Sequence, residues 1–372
     1  MTEPTNLKAG SPRIYVLDVV RFLAALMVVL YHYTVRGAEF TGIVQPQLAP
    51  IAKYGYLGVD LFFVISGFVV LMSSLGRKPG QFFQSRFVRV VPMFLPACLI
   101  TFAYIYFTHE PALAVSVRNL VLDMSLLGIT PATVFLKISH VDGVYWTLVY
   151  ETTFYILIWL ALSTGLIKNI RPLLLWWLAI TAAGAFFQLG MISKILSVFL
   201  LTQYASYFIA GGLFYLIWRE RRAGAVDILA LIGCWALSIL FAVRRLDVLT
   251  AQNHMPMSPW AIGFVVTAIF ALFVGISAHR IPDHRFRSWA WAGALTYPLY
   301  LLHQNIGYGL MNDLKASLPP TLVLLLVFVI VLGGSWLAHK YLERPLARVF
   351  KNWFGSIERK TPRIMPVGEP PQ

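Results

Sequence analysis

The sequence predicts an all-α polytopic membrane protein of about ten transmembrane helices with both termini cytoplasmic. Three observations carry that expectation. The 372 residues are 58% hydrophobic and only 12% charged, with a mean hydropathy of +0.71, outside the range of ordinary soluble domains. Ten stretches are long and apolar enough to span a bilayer. Lys and Arg are shared unevenly between the alternate loops those stretches define.

The expected spans are 14–33, 56–75, 88–107, 144–163, 172–188, 197–218, 226–243, 259–278, 289–310 and 321–339. The first is too long for a signal peptide, is interrupted by Asp18 and Arg21, and lacks a small-residue cleavage site, so it is read as a retained helix. With the N-terminus inside, the inner segments carry 21 Lys and Arg and the outer segments 8, Arg21 itself lying within a span. Short-loop anchors thus account for most of the formal charge of +14, and with no single basic patch no nucleic-acid partner is expected. Cys98 and Cys234 fall inside spans, which leaves neither a disulfide framework nor a Cys-based metal site, and no metal is expected. Residues 1–13 and 351–372 are polar or Pro-rich and read as flexible tails around one membrane domain, 14–350. The longest loop, 108–143, is external and holds an apolar stretch, 117–129, suited to an interfacial or re-entrant helix. No internal repeat is evident, which weighs against transporter folds built from inverted repeats.

The ionisable residues inside the spans are few. Arg21 and His32, eleven positions apart, lie on one face of the first helix about 16 Å apart in depth, with Asp18 close to the same stripe. Such groups usually face a bundle interior or a cavity where they bind or react with something. Asp60 and Ser66 lie in Gly58-Val59-Asp60-Leu61-Phe62-Phe63-Val64-Ile65-Ser66-Gly67-Phe68, and Glu151 follows Trp146-Thr147-Leu148. His303 and Asn305 close Tyr297-Pro298-Leu299-Tyr300-Leu301-Leu302-His303-Gln304-Asn305. Counting the helical rise from the expected span ends puts His32, Asp60, Glu151 and His303 in the outer half of the membrane, within about 10 Å of its surface. Four helices thereby suggest a polar chamber open to the outside. On the inner side Arg86 and Arg89 are i, i+3 neighbours at the expected start of the third helix, and two guanidiniums so placed suit a phosphate-rich ligand. Plainer readings stand beside these. The two arginines equally suit anchors on lipid phosphates, Glu151 could snorkel to water, His303 could be a satisfied bundle histidine, and Asp18–Arg21 a structural pair. The abundant Trp and Tyr, such as Trp176-Trp177 and Tyr204, fit interface belts and packing.

In their order these segments resemble the membrane-bound acyltransferase-3 family, which O-acylates extracytoplasmic carbohydrates in bacteria. The resemblance runs from Leu17-Asp18-Val19-Val20-Arg21 to Glu343-Arg344-Pro345. It rests on Arg21 with ten residues before His32, the Gly58–Phe68 block, Arg86-x-x-Arg89, Trp146-Thr147-Leu148-x-x-Glu151 and Tyr297-x-x-Tyr300-x-x-His303. It implies a multi-pass enzyme of the bacterial inner membrane that moves an acyl group, by default acetyl, from cytoplasmic acyl-CoA to a hydroxyl of an extracytoplasmic glycan or lipid-linked glycan. In that reading His32 is the catalytic histidine with Arg21 its partner, and Arg86 and Arg89 are the pair linked to acyl-CoA. His32 is expected to act as general base, with Glu151 or Asp60 orienting the imidazole and Arg21 stabilising developing negative charge or closing a network with Asp18. A transient acyl-histidine is the competing route. Asp18, Ser66, Trp146, His303 and Asn305 are expected in substrate-binding or network roles. Membrane lipids are expected partners, whereas the acceptor, the acyl group and the oligomeric state stay open. A permease using the same charges as a proton relay and acylation of a small secondary metabolite are the alternatives. The arginine pair and the lack of repeat symmetry favour the enzyme.

Overall fold

The computed structural model describes residues 13–108, 113, 115–187 and 190–360. Its principal helices are α1 (Tyr15–Tyr31), α2 (Gly58–Ser74), α3 (Pro79–Thr108), α4 (Val117–Met124), α5 (Trp146–Ser163), α6 (Ile170–Phe186) and α7 (Ala205–Glu220). There follow α8 (Ala225–Arg244), α9 (Pro259–Ser277), α10 (Ala290–Leu302), α11 (Gln304–Leu314), α12 (Pro320–Ala338) and α13 (Arg344–Lys360). Among the described residues there is no strand. The chain is an all-α polytopic membrane protein, and 8 of its helical segments are long and apolar enough to cross a bilayer among the described residues.

Two of the ten expected spans fall short of that length, each for a local reason. The stretch 197–218 is divided because Leu201 takes a left-handed conformation (φ 55°), which ends the short helix Met191–Phe199 before α7 begins. The stretch 289–310 is divided at His303 into α10 and α11, where the His303 ring itself hydrogen-bonds to the Tyr300 carbonyl (2.8 Å). The third span starts earlier than expected. Its helix begins at Pro79, so Arg86 and Arg89 sit two to three turns inside α3 rather than at its first residue.

At the centre, α1 packs against α2 on one side and α10 on the other, while α2 lies against α7. The α2–α7 contact is backbone on backbone. A Cβ at Gly67 would stand 2.1 Å from the Phe208 carbonyl oxygen, and one at Gly211 would stand 2.1 Å from that of Val64. Only glycine permits this approach. Phe68, Phe208, Phe214 and Phe273 fill the space around the seam and are fully or almost fully buried. The outward faces stay apolar, with Trp260, Phe264, Trp176 and Val329 all exposed, as lipid contact demands. Cys98 and Cys234 are buried free thiols.

Arg13 donates to the Ala290 carbonyl at the start of α10 (2.9 Å), and Phe87 near the start of α3 meets Phe350 and Phe354 of α13 (centroids 5.3 and 5.5 Å apart). Residues 351–360, expected within a flexible tail, instead continue α13, which holds an aromatic face against α3. The expected tail segments 1–12 and 361–372 lie outside the described residues. In the long loop, 117–129 forms α4 and a 3-10 turn rather than one helix.

Candidate active site

His32 is presented by an irregularity at the end of α1. The helix continues as a π-helical turn, His32–Arg36, whose extra residue re-aims the side chains that follow. Gly37 closes that turn by donating to the His32 carbonyl at 2.6 Å, and a Cβ at Gly37 would collide with the same oxygen. His303, fully buried, occupies the break between α10 and α11. The two irregularities face each other: His32 Nδ1 lies 2.9 Å from His303 Nε2 and 3.0 Å from the Val28 carbonyl oxygen.

The hydrogen-bond partners dictate the tautomers of the neutral rings. His303 Nδ1 lies 2.8 Å from the Tyr300 carbonyl, which can only accept, so that nitrogen carries the proton and Nε2 accepts. His32 must then donate from Nδ1, and its Nε2 keeps a lone pair. A carbonyl and two imidazoles thus form a chain that sets up a base with no buried charge, which membrane depth would penalise.

Backbone contacts hold the break in place. Tyr33 donates to the His303 carbonyl (2.9 Å) in a space that a Cβ at Gly307 would occupy. The Asn305 amide donates to Asp142 Oδ2 (3.1 Å), the Val144 amide to Asp142 Oδ1 (3.1 Å), and Asn305 Nδ2 to the Val141 carbonyl (3.0 Å). Burial lifts the Asp142 carboxyl to about 7, against the pull of its two backbone N–H donors. One residue upstream, the Val141 amide donates to buried Asp123 (2.8 Å), which also meets His140 Nδ1 at 3.0 Å. Residues 140–142 are therefore clamped from both sides.

Beside the histidines lies a cavity of about 100 Å³ lined by Arg21, Arg86, Arg89, Glu151, Tyr297 and Tyr300, with Ser66 on its wall. Tyr155 donates to Glu151, and the Arg86 guanidinium stands over the Tyr155 ring (5.5 Å). Arg89 stands over Tyr297 (5.3 Å) and 3.8 Å from Glu343, which in turn meets His339 (2.6 Å). Among the described residues no carboxylate comes within ion-pair distance of Arg86. Ser66 Oγ is buried with no hydrogen-bond partner among the described residues. Tyr300 joins the two regions: its hydroxyl meets Thr147 Oγ1 (3.0 Å) on the cavity side while its carbonyl holds His303.

The four expected chamber residues separate. Only His303 touches His32. Glu151 faces the arginine-lined cavity, and Asp60 belongs to a third network, accepting from Tyr207 (3.1 Å) and facing Arg245 (3.5 Å), which also contacts Tyr204. Neither carboxylate orients the imidazole. Depth along a helix leaves its azimuth open, and the azimuth decides partners here. Arg21 lines the cavity and lies 3.9 Å from Asp18, whose other oxygen holds Arg13 at 2.8 Å. Trp146 is half-exposed and packs on Tyr150 and Tyr204 (5.5 and 5.8 Å) rather than lining the cavity. Asp142 and Arg245 carry no motif of their own, and Glu343 stands in the sequence only as the end of the resembling stretch. Asp142 sits in loop sequence, but a carboxylate immediately before a helix start is itself a capping signal.

These features define a polytopic helical membrane protein with a two-histidine centre next to a cationic cavity. Residues 14–340 match the acyltransferase-3 family, described as an acyltransferase domain, and the chain belongs to that family. It is also similar to protein 2 in the picA locus of Rhizobium radiobacter, with 36% identity over 99 residues, covering 25% of this chain and 46% of that protein. An O-acetyl transferase of Shigella phage Sf6 is 26% identical over 160 residues, covering 39% of this chain and 45% of the relative. The chain spans just under half the length of each of these relatives. No solved structure matches it.

Proposed function

We propose that the protein is an O-acyltransferase that moves an acyl group, by default acetyl, from acyl-CoA to a hydroxyl of an extracytoplasmic glycan or glycolipid. The single observation that carries this is the His32–His303 pair, whose tautomers leave His32 Nε2 unprotonated at the head of a neutral chain. Family membership and the name O-acetyl transferase of the Sf6 relative support the same reaction class.

In this mechanism His32 Nε2 removes the proton of the acceptor hydroxyl, and the oxygen attacks the thioester carbonyl. The tetrahedral intermediate collapses as the C–S bond breaks, and the leaving thiolate takes the proton back from His32. His303 accepts the Nδ1 hydrogen throughout, an interaction that strengthens while His32 is an imidazolium. Arg21, Arg86 and Arg89 supply positive charge for the donor, and Ser66, Thr147 and Tyr300 supply hydroxyls along its path. The excess of Lys and Arg in alternate loops supports a cytoplasmic position for the end bearing α13, and so for the donor. The bacterial relative and the phage relative support the cytoplasmic membrane of a bacterium.

Mass spectrometry of surface glycans from cells with and without the gene tests the reading. Expected is loss of an acyl increment, restored by the wild-type chain but not by His32→Ala. Identical glycan masses, together with no label transfer from radiolabelled acetyl-CoA by the purified protein, would overturn it.

A further inference from the structure

Where α13 crosses the start of α3, the two helices enclose a groove of about 480 Å³ that is separate from the central cavity but shares two walls with it. Arg86 and Arg89 line both spaces. The groove's remaining polar groups are Gln81, Gln84 and Ser85 from α3, Glu343 from the π-helical turn His339–Glu343, and Lys351 from α13. The seat of α13 is fixed: Glu343 just before it and Ala347, Phe350 and Phe354 within it recur at helical spacing on one face, and Phe87 takes the two aromatic rings edge-on. That places Lys351, one turn beyond Ala347, at the rim with its side chain exposed. Among the described residues Lys351 and Arg86 have no carboxylate partner, while Arg89 is partly neutralised by Glu343.

We propose that α13 completes a phosphate-binding groove in which Lys351 joins Arg86 and Arg89 on the phosphates at the nucleotide end of the thioester donor. This rests on the acyl-CoA reading above. The chemistry recognised is a phosphate ester, which a lipid headgroup also offers at this end of the bundle. The nucleotide is favoured because the groove shares its arginines with the cavity behind it, so a ligand held by its phosphates can send an arm between Arg86 and Arg89 toward Glu151 and Tyr300. A headgroup needs no such passage. Gln81 and Gln84 add amide oxygens, acceptors that a phosphate oxygen would leave unused.

The experiment is calorimetric titration of CoA, dephospho-CoA and pantetheine into the full chain in nanodiscs of phosphatidylcholine, with and without phosphatidylglycerol. Lys351→Gln is expected to weaken CoA about tenfold, the loss of one charge-assisted contact, while leaving pantetheine and the thermal midpoint unchanged. Lys351→Arg should restore CoA affinity. Unchanged CoA affinity in Lys351→Gln, with the wild type still binding, overturns the proposal. So does a variant whose only change is its response to phosphatidylglycerol, since the cation then serves lipid. A wild type that binds no CoA in either lipid overturns the acyl-CoA reading itself, and the proposal with it.

Discussion

His303 Nε2 lies 2.9 Å from His32 Nδ1 across a sequence separation of 271 residues, so the orientation of the His32 imidazole depends on a helix break between α10 and α11. His32→Ala is expected to lower acyl transfer at least about a hundredfold without loss of folded protein. His303→Ala leaves the His32 N–H with only the Val28 carbonyl and the ring free to turn, and should cost about tenfold to a hundredfold. Label transfer from radiolabelled acetyl-CoA measures both, and a wild-type rate in His303→Ala would remove the second imidazole from the mechanism.

Arg86 and Arg89 share a helix face but should respond differently to substitution. Removing Arg89 leaves the nearly buried Glu343 with His339 as its remaining partner, so Arg89→Ala is expected to lower the thermal midpoint as well as weaken donor use. Arg86→Ala should raise the donor KM about tenfold at unchanged stability. Steady-state kinetics and thermal melts of the two variants separate the outcomes; equal melts would show that the Glu343 contact contributes nothing.

Asp142 accepts one backbone N–H on each oxygen, so the amide of Asp142→Asn must turn its NH₂ toward one of those donors. A cost of about 1–3 kcal/mol is expected. The pH dependence has a definite sign. The folded carboxyl holds its proton up to about 7 where an ordinary one releases it near 3.8, so ionisation is penalised in the fold. Its contribution to stability is greatest at acid pH and falls as pH rises from about 4 to 7. Comparing thermal midpoints at pH 5 and pH 8 should show a decline in the wild type that is smaller in Asp142→Asn.

At the α2–α7 seam, Gly67→Ala or Gly211→Ala places a methyl against backbone that neither helix can yield. Each is expected to destabilise by roughly 1–3 kcal/mol or more. Gly263→Ala, with nothing within 4 Å of the added carbon, is the neutral control. Equal melting of all three variants would mean that the seam tolerates separation.

The helices were legible because an apolar run of bilayer length has few other fates. Their interruptions were less so. Pro298 stays inside α10 and the division falls at His303, in an apolar run long enough to read as one span, and Leu201 has no sequence mark of its left-handed backbone. Among site residues, the types were visible and the partnerships were not. The sequence marks both His32 and His303, but spacing along each helix gives depth and says nothing of which neighbour a face meets. Arg245 reads as one of two loop charges beside Arg244, and only tertiary packing gives it Asp60.

Tyr300 lines the cavity and its ring lies 5.7 Å from that of His303, with Phe62 packed edge-on against it (5.5 Å) and Thr147 holding its hydroxyl. Any protein that opens a charged hollow within a bilayer risks short-circuiting the ion gradient across it. A continuous file of water past Tyr300 would do so. The uncharged imidazoles beyond that ring add a second barrier, since a hydrated cation arriving there finds no fixed negative charge on either histidine to replace its water shell.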